Sequence, residues 1–322
     1  MIEHRLIVVC NLVVLFLLLT SLVQINSAEV LKQITSAHIA QNAGDELNAF
    51  FRCLKNRKIA IISAHRGGSY SGFPENALES LQRIVEFGPL MAEVDVMSSA
   101  DGVLFLHHDS KLERTTTGKG KVVETAWADL AVLNLRDKTG QVTSFNPARL
   151  ADVLDWSREN LILQLDVKPP TQILKVAELV AEKQAMARVI FIVYSLADAS
   201  LLSRHYPHAI FSVGVDDDNK LGKIIETNLD LNNLQALVGA AHLKRDYSSL
   251  LNTGAIVVAG TYGSEQSIDV ISPGVDETQL KQLLRQTMAM GIQVMVSNEP
   301  VSLLESLSGD EAYMDSLAEC VQ

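Results

Sequence analysis

Met91-Ala92-Glu93-Val94-Asp95-Val96 is an apolar run carrying two carboxylates two residues apart. In an extended strand such residues share a side, so Glu93 and Asp95 point in one direction. Similar short runs rich in Val, Ile and Leu recur at 59–63, 161–167, 189–193, 210–213, 235–238, 256–259 and 293–296, making eight candidate strands. Helical patterns at 77–87, 172–183, 197–205, 247–252 and 277–290 separate most of them. Alternating apolar strands and helices imply a parallel sheet covered on its faces. Eight units fit a closed (β/α)8 TIM barrel better than an open doubly wound sheet.

Outward from these runs, 30–54 reads as one or two amphipathic helices covering one end of the domain. The interval from Gly102 to Leu150 is too long for a single helix. With an extra strand at Val103–Leu106 and a loop at Thr115–Gly120, it reads as a small insertion after strand two. No repeat or linker suggests a second domain, so residues 29–322 are expected to form one barrel domain.

Leu6 to Leu22 is apolar apart from Asn11, Thr20 and Ser21, and Asn26-Ser27-Ala28 offers small residues for cleavage. Residues 1–28 therefore read as a signal peptide, with an uncleaved anchor as the alternative. Both readings export the rest, to a periplasmic or secreted location. Cys10 would leave with the signal peptide. Export permits Cys53 and Cys320 to pair, although the sequence alone favours leaving them unpaired.

The chain has 322 residues, 48% hydrophobic and 20% charged, with a net charge of -11. That size supports a substantial core, and the charge repels phosphate backbones, so nucleic acid is not an expected partner. An anionic substrate must be met by local cations.

Two carboxylates inside a barrel are costly unless a cation or hydrogen bonds compensate them. Taken alone, Glu-x-Asp is a weak motif that a strand end at the surface explains better. Asp166 and Lys168, in Leu165-Asp166-Val167-Lys168-Pro169, repeat the spacing at the end of another strand, where this architecture builds its active face. A structural Asp–Lys ion pair is the plainer reading. At the end of strand one, Ala64-His65-Arg66-Gly67-Gly68 offers an imidazole and a guanidinium able to grip phosphate oxygens. His107-His108-Asp109 offers a second imidazole with a carboxylate beside it. Alternation does not decide which of the two histidines faces the site.

The ordered set His65-Arg66-Gly67, Pro74-Glu75-Asn76, Glu93-x-Asp95, Asp101-Gly102, His108-Asp109, Leu112-x-Arg114-Thr115-Thr116 and Gly118 closely resembles the glycerophosphodiester phosphodiesterase family. It is dense from Ile59 to Gly120, continues through Leu161–Lys168, and is diffuse from there to Pro300. The resemblance implies a (β/α)8 barrel, one divalent cation, Mg²⁺ or Ca²⁺, and hydrolysis of a small glycerophosphodiester to glycerol phosphate and an alcohol. By position it makes His65 and His108 the acid–base pair, which selects His108 over His107. Arg66 and Lys168 become phosphate contacts, and Glu93, Asp95 and Asp166 the metal ligands. Glu75 is expected near the metal or a substrate hydroxyl, or else as a carboxylate at a helix start with Asn76 as cap.

Asp166 departs from the Glu-x-Lys pair of most of that family, and is similar to the Asp-x-Lys of the related sphingomyelinase D toxins. The segment Val296-Ser297-Asn298-Glu299-Pro300 resembles the family's last strand motif without the aromatic that often precedes it. The alternative function is therefore a phospholipase D type activity on lysophospholipid or sphingolipid, with transient membrane contact. A barrel that binds without catalysis would need an incomplete site, and every residue type the chemistry needs is present. Head-group preference, the division of acid and base between the histidines, a cyclic or open product and the oligomeric state are left open by the sequence.

Overall fold

A computed structural model describes residues 34–42, 47–215, 217–239, 246–260 and 276–321. Its eight parallel strands are β1 (Ile61–Ala64), β2 (Met91–Ser98), β4 (Leu163–Val167), β5 (Val189–Ile192), β6 (Ile210–Gly214), β7 (Leu234–Leu237), β8 (Ile256–Gly260) and β9 (Val294–Ser297). A short strand, β3 (Leu104–Leu106), runs antiparallel along β2. The order β1-β9-β8-β7-β6-β5-β4-β2 closes where Ser63 and Ala64 pair with Met91 and Ala92. This is the (β/α)8 barrel, with all eight expected strands in place. The strands are almost wholly buried because helices cover one face and the barrel interior the other, which explains their near-continuous apolar runs.

Register sets the height of each inward side chain. Glu93 lies level with Gln164, and Asp95 with Asp166, one layer nearer the C-terminal mouth. The lower layer is polar and bonded across the barrel. Ser63 Oγ donates to Gln164 Oε1 at 2.6 Å, and Gln164 Nε2 donates to Gln235 Oε1 at 2.8 Å.

The amphipathic N-terminal stretch forms two helices, Ser36–Asn42 and Leu47–Arg57, the second burying Leu47, Phe50, Phe51 and Leu54. Two C-terminal helices, Pro300–Ser308 and Glu311–Val321, were not read from the pattern. Tyr313 of the second donates its hydroxyl to Ala60 O at 2.9 Å, just below β1. The same helix carries Cys320, which is joined to Cys53 in a disulfide. This corrects the unpaired reading. Sequence cannot tell that the helices Leu47–Arg57 and Glu311–Val321 pack side by side, which brings the two Cα atoms to 5.5 Å. The expected signal peptide, residues 1–28, lies outside the described residues.

The insertion after β2 packs Phe105, Leu112, Val122 and Leu130 around Met97 of β2, with Trp127 and Leu133 against them. Asp137 ties it to the loop following β1. Its carboxylate accepts from the Gly72 amide at 2.8 Å and from the Thr139 amide and hydroxyl at 2.9 and 2.7 Å.

Candidate active site

Glu93 and Asp95 point into the barrel and are 3% and 1% exposed. Asp166 joins them from β4, and one ligand atom from each of the three carboxylates lies within 4.8 Å of the other two. Each carboxylate is anchored by one oxygen. Glu93 Oε2 accepts the Arg66 amide at 2.8 Å, Asp95 Oδ2 accepts Asn76 Nδ2 at 2.7 Å, and Asp166 Oδ2 accepts Lys168 Nζ at 2.6 Å. The other oxygens, Glu93 Oε1, Asp95 Oδ1 and Asp166 Oδ1, are buried without a hydrogen-bond partner. Asp95 Oδ1 has an ion-pair contact with Lys168 Nζ at 3.0 Å.

Leaving buried carboxylate oxygens unsatisfied, as at Glu93 Oε1 and Asp166 Oδ1, is expensive. Burial, then Asp95 and Asp166, push the Glu93 carboxyl well above its usual range. Burial likewise raises Asp166, although Lys168 works against it. An all-oxygen donor set with outward lone pairs and excess negative charge suits a divalent cation, and the residues present fit one.

The turn after β1 is bent to meet this cluster. Within His65–Gly67, Arg66 has φ 52° and Gly67 φ 76°. A side chain at 67 would be strained by that φ, and its Cβ would lie 3.1 Å from Leu81. For Arg66 the left-handed backbone costs about 1–3 kcal/mol and must be over-determined by its surroundings. The amide bond to Glu93 supplies one constraint, and the Asn76 amide donating to Arg66 O at 2.8 Å supplies another. Asn76 also accepts the Asp95 amide on its Oδ1 at 2.8 Å. It therefore ties the turn after β1 to β2, and the alternative reading of Asn76 as a helix cap does not hold. The helix Leu78–Ile84 has Ala77 at its N-cap and no side-chain capping bond.

His65 Nδ1 lies 2.6 Å from Asn298 Oδ1, just beyond β9. An amide oxygen can only accept, so the proton sits on Nδ1 and Nε2 is the basic nitrogen. Burial lowers the His65 pKa, with the Asn298 bond opposing. His108 follows the same pattern, with Nδ1 2.7 Å from Asp109 Oδ1. His107 does not reach the site. It is 2% exposed and its Nε2 pairs with Lys111 O at 3.1 Å.

Lys168 Nζ sits among Asp166, Asp95 and the Tyr194 hydroxyl, donating to the last at 2.8 Å. Burial works against its charge, but Asp95 and Asp166 outweigh it and hold Lys168 protonated. Tyr194 OH in turn donates to Asp166 Oδ2 at 2.9 Å, and burial followed by Asp166 pushes the phenol up to about 12. Sequence reasoning missed Tyr194. It stands two residues past the end of β5, so its place at a strand end was the available signal.

His65, Arg66, Glu75, Glu93, His108, Asp166 and Lys168 line one cavity of about 610 Å³ at the C-terminal end of the barrel. Asp95 is not part of its wall; it is buried and held by Asn76 and Lys168. Glu75 accepts from Arg66 Nη1 at 3.0 Å and from both terminal nitrogens of Arg114 at 2.7 Å, so it organises arginines at the rim. The segments expected to carry a site thus converge on one space. The cavity holds fixed cations, two imidazoles and a carboxylate cluster, and this set can bind a phosphate and move protons beside it.

A sequence profile of the glycerophosphoryl diester phosphodiesterase family matches residues 65–299. Glycerophosphodiester phosphodiesterase 1 of Mus musculus is 32% identical over 119 residues, 36% of this chain and 36% of that protein. The matches to YqiK of Bacillus subtilis and to the Bos taurus phosphodiesterase span 63% and 50% of those proteins, so the chain covers less than two thirds of these curated relatives. Among solved structures, a glycerophosphoryl diester phosphodiesterase from Parabacteroides distasonis is 26% identical with a TM-score of 0.69, covering 78% of this chain and 87% of that one. A phosphodiesterase from Oleispira antarctica, solved with the product sn-glycerol-3-phosphate, is 20% identical with a TM-score of 0.61 and covers 78% and 98%.

Proposed function

Because this chain belongs to the glycerophosphoryl diester phosphodiesterase family, we propose that it hydrolyses a soluble glycerophosphodiester to glycerol phosphate and an alcohol. The observation that carries this reading is the pair of histidines, each pinned through Nδ1 to an oxygen acceptor, on the wall of a cavity that also holds Arg66 and Lys168. The product named for the Oleispira antarctica structure supports glycerol phosphate as one of the two products.

Glu93, Asp95 and Asp166 hold a divalent cation, Mg²⁺ or Ca²⁺, which when bound offsets their charge and draws negative charge from phosphoryl oxygens. Arg66 and Lys168 bind the remaining phosphate oxygens, where charge builds as the new bond forms. One histidine takes the proton of the attacking hydroxyl. Attack by water gives glycerol phosphate directly, whereas attack by the neighbouring glycerol hydroxyl gives a cyclic glycerol phosphate, whose ring a water then opens to glycerol phosphate. As the phosphorus–oxygen ester bond breaks, the other histidine gives a proton to the departing alkoxide. Nδ1–H anchoring makes Nε2 the basic nitrogen of each ring for this exchange. Asp109 fixes one ring and Asn298 the other, and neither needs to change protonation.

A panel of glycerophosphocholine, glycerophosphoethanolamine, glycerophosphoinositol, lysophospholipid and sphingomyelin, assayed with several divalent ions, tests the reading. Release of glycerol phosphate from at least one of the first three is expected. Turnover confined to the lipid substrates would overturn it in favour of a lipid-directed enzyme.

A further inference from the structure

We propose that Arg114 is a positioning residue that fixes His108 and Arg66 relative to each other; the proposal rests on His108 being a proton carrier, as argued above. Arg114 is 48% exposed, and an exposed ion pair ordinarily contributes about 0–1 kcal/mol to stability. Its geometry is nevertheless highly constrained. It makes four hydrogen bonds of 2.7–2.8 Å to two carboxylates, Asp109 and Glu75.

Each carboxylate holds one member of the site. Asp109 Oδ1 is shared by His108 Nδ1 and Arg114 Nη2, while Oδ2 takes Arg114 Nε. With both oxygens engaged, the carboxylate cannot rotate and the imidazole faces one fixed acceptor. Glu75 Oε1 is shared by Arg66 Nη1 and Arg114 Nη2, while Oε2 takes Arg114 Nη1. The planar fork thus continues from His108 through Asp109, Arg114 and Glu75 to Arg66. Lysine has one nitrogen and cannot reproduce it.

The backbone under Arg114 is equally fixed. Leu112 is buried, its amide donates to Gly120 O at 3.0 Å, and its carbonyl accepts Thr116 Oγ1 at 2.7 Å. Arg114 also holds Asp109 far below the usual carboxylate range, and it helps lower Glu75 against the opposing effect of burial. Both anchors therefore stay ionised. Removing the fork leaves His108 and Arg66 with their direct partners but frees those partners to turn. A displacement of about 1 Å at a proton donor can cost about a hundredfold in rate.

The test compares Arg114→Ala and Arg114→Lys with the wild type in the full chain. Arg114→Ala should lower kcat about 10–100-fold, with KM, metal affinity and melting midpoint nearly unchanged. Guanidinium ion at a non-denaturing concentration should restore part of that loss when sodium chloride does not, and Arg114→Lys should recover less than the rescued alanine variant. An unchanged kcat, or a loss matched by equal losses of metal affinity or melting midpoint, would overturn the proposal. Imidazole nitrogen NMR gives a readout independent of turnover. A fixed Nδ1–H tautomer of His108 in the wild type and exchange between tautomers in Arg114→Ala are expected. Identical spectra would contradict the positioning role, whereas an inactive wild type with the expected spectra would refute only the proposed reaction.

Discussion

His108→Ala should lower glycerophosphodiester turnover by at least about a hundredfold, and His65→Ala should do the same, because proton transfer by a positioned imidazole contributes about 10²–10⁴. Both rings stand on the cavity wall, outside the hydrophobic core, and each Nδ1 meets a polar oxygen. Neither substitution should unfold the protein or abolish the metal-dependent rise in melting midpoint. The two variants should differ in one respect. An ester with a good leaving group, such as a p-nitrophenyl phosphodiester, needs little help from a general acid, so the variant lacking the acid should regain more of its rate on it. Near-wild-type rates for either variant on the natural ester would refute the assignment.

Glu93→Gln should trade function for stability. Burial first, then repulsion from Asp95 and Asp166, raises the Glu93 pKa, so the fold disfavours its ionised form. For an acid with a raised folded pKa, stability is greatest at low pH. It falls as pH climbs from the unfolded carboxylate range toward the folded value. Glutamine has the same shape and no charge, and its removal of this penalty should raise the metal-free melting midpoint by about 2–4 °C at neutral pH. The same change removes a third of the carboxylate charge offered to a cation. Metal-dependent stabilisation and turnover should therefore be lost together. A variant that is no more stable without metal, or that still gains stability when Mg²⁺ or Ca²⁺ is added, would contradict the electrostatic account of the cluster.

The barrel was legible because its physics is periodic. Strands buried on both faces must be apolar along their whole length, and β1, β2 and β4 to β9 all announce themselves in that way. Glu93 and Asp95 stood out as carboxylates where such a strand should carry none. The choice of His108 over His107 was not legible from alternation, because both residues lie beyond the end of β3, where the strand rule no longer applies. It came from the resemblance. The role of Asn76 was not legible either: a helix follows it, which made a cap the alternative reading, while its bonds reach across to Asp95 and Arg66. Tyr194, the Arg114 fork and the Cys53–Cys320 link share one reason for being hidden. Each depends on which distant segments the closed barrel brings together, and that information is absent from local pattern.

The central claim, metal-dependent hydrolysis of a glycerophosphodiester, is tested most directly by following glycerophosphocholine with ³¹P NMR. The purified protein is assayed before chelation, after exhaustive EDTA treatment, and after Mg²⁺ or Ca²⁺ is restored in excess. The diester signal should be replaced by that of glycerol phosphate, stop changing after chelation, and convert again when one of the ions returns. Turnover that survives chelation undiminished and gains nothing from either ion would contradict the account.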